Sequence, residues 1–331
     1  MTAPRLIVTA SPHIKSVDST PMIMWHVVAS LVPVIAASAW FFGISALLVV
    51  AAATAGALIT EQLIGRPQAL RDGSATITGL LLGLSLPAGM PMWMAFLGGA
   101  FGIGFGKVVW GGLGQNAFNP ALLGRAFLQA AFPVAITTWP KAGGTFWALR
   151  GDLFAWPFLH PVSDALTAAT PLGLLKFEKQ VTPISDLILG TTGGSAGETA
   201  ALVIIAGGVY LGFRGFLNWR APVAILATVA LFSGVVHFID STKPDALFML
   251  FSGGLMLGAV YMATDMVTVP VTNAGRWVFG ISVGLLTAII RIWGGLPEGV
   301  MYAILIMNAL TPFINQATQP RVFGVRVGKA A

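Results

Sequence analysis

Residues 108–127 read VVWGGLGQNAFNPALLGRAF, and residues 291–310 read RIWGGLPEGVMYAILIMNAL. Both carry Trp-Gly-Gly-Leu, beginning at Trp110 and at Trp293. Each copy stands at the junction between a fourth and a fifth apolar run of its half of the chain. The first half holds runs near 22–40, 43–64, 74–87, 92–110 and 116–136, and the second holds runs near 198–213, 219–238, 245–263, 275–293 and 298–315. A transmembrane helix needs about 20 apolar residues, so most runs are long enough to cross, although 74–87 is short for a straight passage. Five crossings per copy is an odd number, so the second copy inverts relative to the first, an architecture known for membrane proteins with a site near the midplane. The expectation is an all-α polytopic membrane protein with about ten transmembrane helices in two inverted five-helix repeats.

Composition agrees. The chain has 331 residues, 56% hydrophobic and 9% charged, whereas a soluble domain carries roughly 25% charged residues. The net charge of +6 fits Lys and Arg retained on the cytoplasmic side of a membrane. No basic run interleaved with aromatics points to nucleic acid. There is no cysteine, which excludes disulfides and iron–sulfur ligation by this chain. His13, His26, His160 and His237 show no metal-ligand spacing. The first residues lack an apolar core followed by a cleavage site, so no signal peptide is expected.

The organisation expected is a cytoplasmic segment 1–21, a first repeat 22–136, an outer-face connection 137–197, a second repeat 198–315 and a cytoplasmic tail 316–331. Lys and Arg set the orientation. With the N-terminus inside, cytoplasmic segments carry Arg5, Lys15, Arg66, Arg71, Lys107, Arg214, Arg220, Arg276, Arg321, Arg326 and Lys329. Short outer loops then carry Lys243 and Arg291, and both termini lie inside.

Several polar residues stand out in so apolar a chain. Asn116, Asn119 and Asn308 sit within or at the mouths of fifth spans, where they can line a cavity or hydrogen-bond between helices. Asp265 follows the eighth span; it is a membrane-edge carboxylate with a functional reading or a simple cap. Asp72 and Glu198 stand at span beginnings, where acids favour a helix start. The glycines of GGAFGIGFGK at 98–107 loosely match a phosphate loop but lie inside a span, and close helix packing is the better reading.

The 137–197 connection holds SDALTAATPLGLLK at 163–176. No His or Lys adjoins its threonines, so nothing supports a nucleophilic protease-like site. Read for local structure, a hydroxyl before Pro171 caps a helix that starts there.

Asp164, Thr167, Ala169 and Thr170 nonetheless fall on a pattern. The segment 164–170 resembles the flavinylation motif Asp-x-x-(Ser/Thr)-Gly-Ala-Thr of the B subunit of sodium-pumping NADH:quinone reductase and the D subunit of the Rnf complex, with Ala168 where the family has Gly. GQNAFNPALLGRAF, TGGSAGETAAL, ATDMVTVP and GGLPEGVMYAILIMNALTPFI also resemble Rnf D-subunit segments, in family order. The sodium-pump subunit is usually longer at its N-terminus, so the Rnf D subunit is the closer resemblance. It implies FMN bound covalently through a phosphoester to Thr170 on the outer face, with Asp164 and Thr167 at the motif's acid and hydroxyl positions. It further implies attachment by a separate flavin transferase, with a second, non-covalent riboflavin as an option. The implied partners are the Rnf A, B, C, E and G subunits in a bacterial inner membrane. The implied activity is electron transfer between ferredoxin and NAD coupled to Na⁺ or H⁺ movement. The rival readings are a urea- or ammonium-type channel with Asn116, Asn119 and Asn308 lining its pore, and an unmodified scaffold subunit of the same complex.

Overall fold

A computed structural model describes residues 18–65, 69–157, 169–198 and 201–320. Among them there is helix but no strand. The first half gives α1 (Thr20–Phe42), α2 (Ile44–Ile64), α3 (Ser74–Ser85), α4 (Met92–Ile103), α5 (Pro120–Ala131) and the short α6 (Pro133–Thr137). Two short helices follow in the connection, α7 (Pro171–Gly173) and α8 (Ile184–Leu189). The second half gives α9 (Ala201–Phe213), α10 (Arg220–Ile239), α11 (Ala246–Phe251), α12 (Leu255–Leu257), α13 (Asn273–Trp293) and α14 (Val300–Thr318). Wide π-helical turns extend α4 over Gly104–Val108, α7 over Leu174–Glu178 and α12 over Gly258–Met262.

Five helices, α1, α2, α10, α13 and α14, are long and apolar enough to cross a membrane. The surface fits hydrocarbon: Trp40, Phe213 and Phe238 are 84%, 89% and 92% exposed, a cost in water but none in lipid. Three expected runs are interrupted. The 116–136 run starts late because Asn119 caps α5 and Pro120 follows, and it breaks at Phe132 before Pro133, whose ring cannot continue the helix. The 245–263 run breaks at Ser252–Gly254, where Gly253 takes φ +64°, a conformation that a side chain disfavours. The 74–87 run ends at Ser85, just before Leu86–Pro87.

Helix α2 packs along α3 and α4, α10 along α13, α4 against α5, and α13 against α14. Small residues allow these approaches, as membrane packing demands. A Cβ on Gly99 would collide with the Ala53 carbonyl oxygen of α2, and one on Gly280 would stand 2.6 Å from the Ala224 Cβ of α10. The GGAFGIGFGK glycines are therefore packing residues, as the sequence suggests. The halves meet where α1 lies on α9 and α5 on α14.

The connection folds back over the helix ends. Ile44 N–H donates to Phe146 O at 2.9 Å, and Met92 N–H to Leu153 O at 3.0 Å. Further on, Ala196 and Gly197 donate to Leu86 O and Leu84 O at 3.1 and 2.7 Å, and Ser38 Oγ donates to Ala196 O. These bonds pin Ser195 and Ala196, both fully buried, against the end of α3, and they deliver Glu198 to the interior.

Candidate functional site

Polar side chains gather at two places in the apolar bundle. One surrounds Lys107 and the other surrounds Thr170.

Lys107 lies on the wide turn after α4 and is buried. A buried ammonium needs partners, and it has them. It donates to Glu61 of α2 and to the Ser74 hydroxyl, with Asp72 Oδ2 at 3.8 Å. Asp72 Oδ1 in turn accepts from Ser74 N–H at 2.7 Å and from Ser74 Oγ at 2.5 Å. The helix-start role read for Asp72 is thus present, and it also belongs to an ionic network. Beside the network a cavity opens between the two halves, lined by Lys107, Ser74, Thr78, Asn116, Asn119, Tyr261 and Asp265 with apolar neighbours. Asn119 accepts from Ala121 and Leu122 N–H at the start of α5 and donates to Met262 O at 3.1 Å, so it both caps and bridges the halves. Asp265 accepts from Val267 N–H at 3.3 Å and Thr268 Oγ1 at 3.2 Å: a turn cap that also faces the cavity. Asn308 does not line it. That side chain is buried within α14, with neither amide atom partnered among the described residues. The three asparagines of the channel reading do not share one cavity.

Two positions read as loop charges are corrected here. Lys107 is held by Glu61 as just described. Arg291, in the last turn of α13, is 5% exposed. Its guanidinium donates to Glu298 O, Met249 O and Ser252 O at 2.9, 2.6 and 3.0 Å. It satisfies carbonyls left orphaned where α11 ends, so neither charge is a free topological signal.

The second locus is built from the connection and the α13–α14 turn. Thr170 caps α7: its Oγ1 accepts from Gly173 N–H at 3.1 Å, and its carbonyl accepts from Leu174 N–H at 2.8 Å. The helix start read at Pro171 is present. Leu172 packs with Leu187 and Phe248, and Lys176 Nζ donates to Leu296 O at 2.9 Å. Thr170 is thereby fixed against the second half, 8% exposed, while Ala169 beside it is exposed. Asp164 and Thr167, with Ala168, lie outside the described residues.

Thr170 faces a pocket lined by Arg125, Gln129, Trp139, Glu298, Tyr302 and others. Arg125 comes from α5 and is 7% exposed; its Nη2 donates to Glu298 Oε2 at 2.5 Å, while its buried Nε has no partner among the described residues. Glu198 reaches the same cluster. Its Oε2 accepts from Ser195 N–H at 3.4 Å, and its carboxyl lies beside that of Glu298. Glu198 stands just ahead of α9, which begins at Ala201, the span beginning at which the sequence places it. Sequence reasoning misses Arg125 and Glu298. Each is a lone charge in an apolar run, which is itself the available signal. A buried arginine with an unpartnered N–H beside a hydroxyl can receive an anionic ester at that hydroxyl.

Residues 7–324 match the model of the NQR2, RnfD, RnfE family. The chain belongs to this family. Its relatives include the D subunit of the proton-translocating ferredoxin:NAD(+) oxidoreductase complex of Clostridium ljungdahlii, 40% identical, with 96% of each chain covered. The D subunit of the Na(+)-translocating ferredoxin:NAD(+) oxidoreductase complex of Acetobacterium woodii is 39% identical, over 97% of this chain and 96% of that one. The D subunit of the ion-translocating oxidoreductase complex of Stutzerimonas stutzeri is 42% identical, over 93% of both. Within the family, then, the likeness is to D subunits along nearly the whole chain. It is not confined to the segment around Thr170.

Proposed function

We propose that this protein is the membrane-embedded D-type subunit of an ion-translocating ferredoxin:NAD oxidoreductase complex, and that it carries FMN as a phosphoester on Thr170. The observation that carries the flavin assignment is the pocket beside Thr170. A buried arginine there offers an N–H that nothing among the described residues accepts.

The residues present fit such a group. Thr170 Oγ1 would be the ester oxygen. Arg125 would face the phosphate with its free Nε–H, and its bond to Glu298 holds the guanidinium in place. Gly173 N–H would remain beside the ester as a second donor. Lys176, tied to the α13–α14 turn, keeps the tether from swinging away. FMN supplies the one- and two-electron chemistry when bound. The chain supplies the anchor, an anion-receptive pocket and exclusion of the tether from bulk water. Asp164 and Thr167 complete the motif that a flavin transferase would read during maturation.

The wider reading is ten crossings in two inverted five-helix repeats. Matching pairings support it: α2 with α4 and α10 with α13, α4 with α5 and α13 with α14. Orientation by Lys and Arg puts both termini on the cytoplasmic side of a bacterial inner membrane and Thr170 on the outer side. The cavity beside Lys107 would then open toward the cytoplasm and is the place for a second, non-covalent flavin such as riboflavin. Electrons would pass to and from cofactors on the neighbouring A, B, C, E and G subunits. The relatives' names differ in the ion, proton in one and Na⁺ in another, at nearly equal identity, so coupling is assigned here to H⁺ or Na⁺.

In-gel fluorescence tests the core of this reading. The chain is produced with and without a flavin transferase, as wild type and as Thr170→Val, and the denaturing gel is illuminated with ultraviolet light. A fluorescent band that requires both the transferase and Thr170 is expected. A dark wild-type band with an active transferase would overturn the assignment and leave an unmodified scaffold.

A further inference from the structure

Four buried oxygens near Thr170 have no hydrogen-bond partner among the described residues: Glu198 Oε1, Glu298 Oε1, Ser195 Oγ and Ser252 Oγ. Ser195 and Ser252 are fully buried. The Glu198 carboxyl lies beside both the Ser195 hydroxyl and the Glu298 carboxyl. The break after α11 closes the other side. A Cβ on Gly254 would stand 3.3 Å from Glu198 Oε1, and one on Gly253 would stand 3.1 Å from Arg291 Nη2.

Ionised carboxylates only accept hydrogen bonds. Two of them side by side in a partly enclosed site repel unless a positive charge offsets them. The arginines offset the charge from the sides without hydrogen-bonding the two free oxygens: Arg125 reaches Glu298 through its other oxygen, Oε2, and Arg291 donates to three backbone carbonyls. Lys176 is likewise occupied by Leu296 O and Arg291 O.

We propose that Glu198 and Glu298 form a binding site for one monovalent cation, H⁺ or Na⁺, held between their unpartnered oxygens with the Ser195 hydroxyl beside them. The charge count gives the site a purpose, and this part rests on the flavin reading above. Arg125 and Arg291 balance the two carboxylates when both are ionised. A phosphodiester on Thr170 adds one negative charge to the pocket Arg125 shares with Glu298. The cluster then carries one surplus negative charge, and a cation between the carboxylates cancels it. Occupancy and flavin attachment are therefore linked, each favouring the other.

The test uses the full chain in lipid nanodiscs, in flavinylated and Thr170→Val forms. Infrared spectra in H₂O and D₂O look for the carbonyl stretch of a protonated carboxyl. Thermal midpoints are compared in NaCl and in choline chloride at equal ionic strength. A proton gives an isotope-sensitive carbonyl band that disappears in Glu198→Gln, a variant that keeps the Arg125–Glu298 pair. Sodium gives a midpoint that rises with Na⁺ but not choline and no longer does so in Glu198→Gln. Either result, stronger in the flavinylated chain, supports the proposal. Absence of both in flavinylated wild type overturns it, whether or not the variant folds. Equal signals in the flavinylated and Thr170→Val chains overturn the linkage and keep the site. A dark gel rejects the flavin reading separately.

Discussion

The two polar loci use similar groups in opposite ways. Around Lys107 the ammonium itself is fully engaged: it has Glu61 and Ser74, and Ser74 has Asp72, with Glu61 Oε2 the one network oxygen left without a partner among the described residues. Around Thr170 two arginines and two glutamates leave Arg125 Nε, Glu198 Oε1 and Glu298 Oε1 without partners among the described residues. A network whose central charge is fully engaged reads as architecture, whereas one with orphaned donors and acceptors of both charge signs reads as a place for something else. Position follows the same division. Lys107 and Glu61 project from packed helices, but Thr170, Glu198 and Glu298 come from connecting segments set on that frame, where functional residues concentrate.

The comparison is open to attack from both sides. The largest effect is expected at Thr170. Thr170→Val should abolish covalent flavin completely while leaving the thermal midpoint nearly unchanged, because a missing cap on so short a helix costs about 1 kcal/mol. Fluorescence on a gel and a melting curve of the same preparation check both halves. Next comes the Lys107 network. Lys107→Met strands Glu61 in the interior and should cost about 3–5 kcal/mol, whereas Lys107→Met with Glu61→Leu should recover most of that loss. Thermal unfolding in detergent measures it. If the double variant were as unstable as the single one, Lys107 would be more than architecture. Gly99→Ala follows, at about 1–3 kcal/mol for forcing a methyl onto the Ala53 carbonyl, read in the same assay. Arg125→Lys keeps the charge but not the fork of donors. It should lower flavin attachment several-fold without abolishing it, as measured by fluorescence per mole of protein. The smallest effect is Asn119→Ala, which removes the α5 cap at about 1 kcal/mol and leaves flavin attachment intact.

Much of this was legible residue by residue. Hydropathy placed the helices, and a hydroxyl before Pro171 announced its cap. The breaks at Pro120 and Pro133 are of the same kind. These are local signals, written within a turn or two of the residues they govern. Arg125 and Glu298 were legible only as oddities, since nothing near either one in sequence names a partner.

Sequence by itself determined that this is a helical membrane protein, where its apolar runs fall and which threonine stands at the motif's end. Tertiary structure decided which charges are neighbours. Glu61 meets Lys107 across 46 positions, and Arg125 meets Glu298 across 173. It also decided that Lys107 and Arg291 are interior groups and not loop charges. The physical reason is range: hydropathy and capping act over one or two helical turns, but a buried charge finds its partner only once the helices have packed.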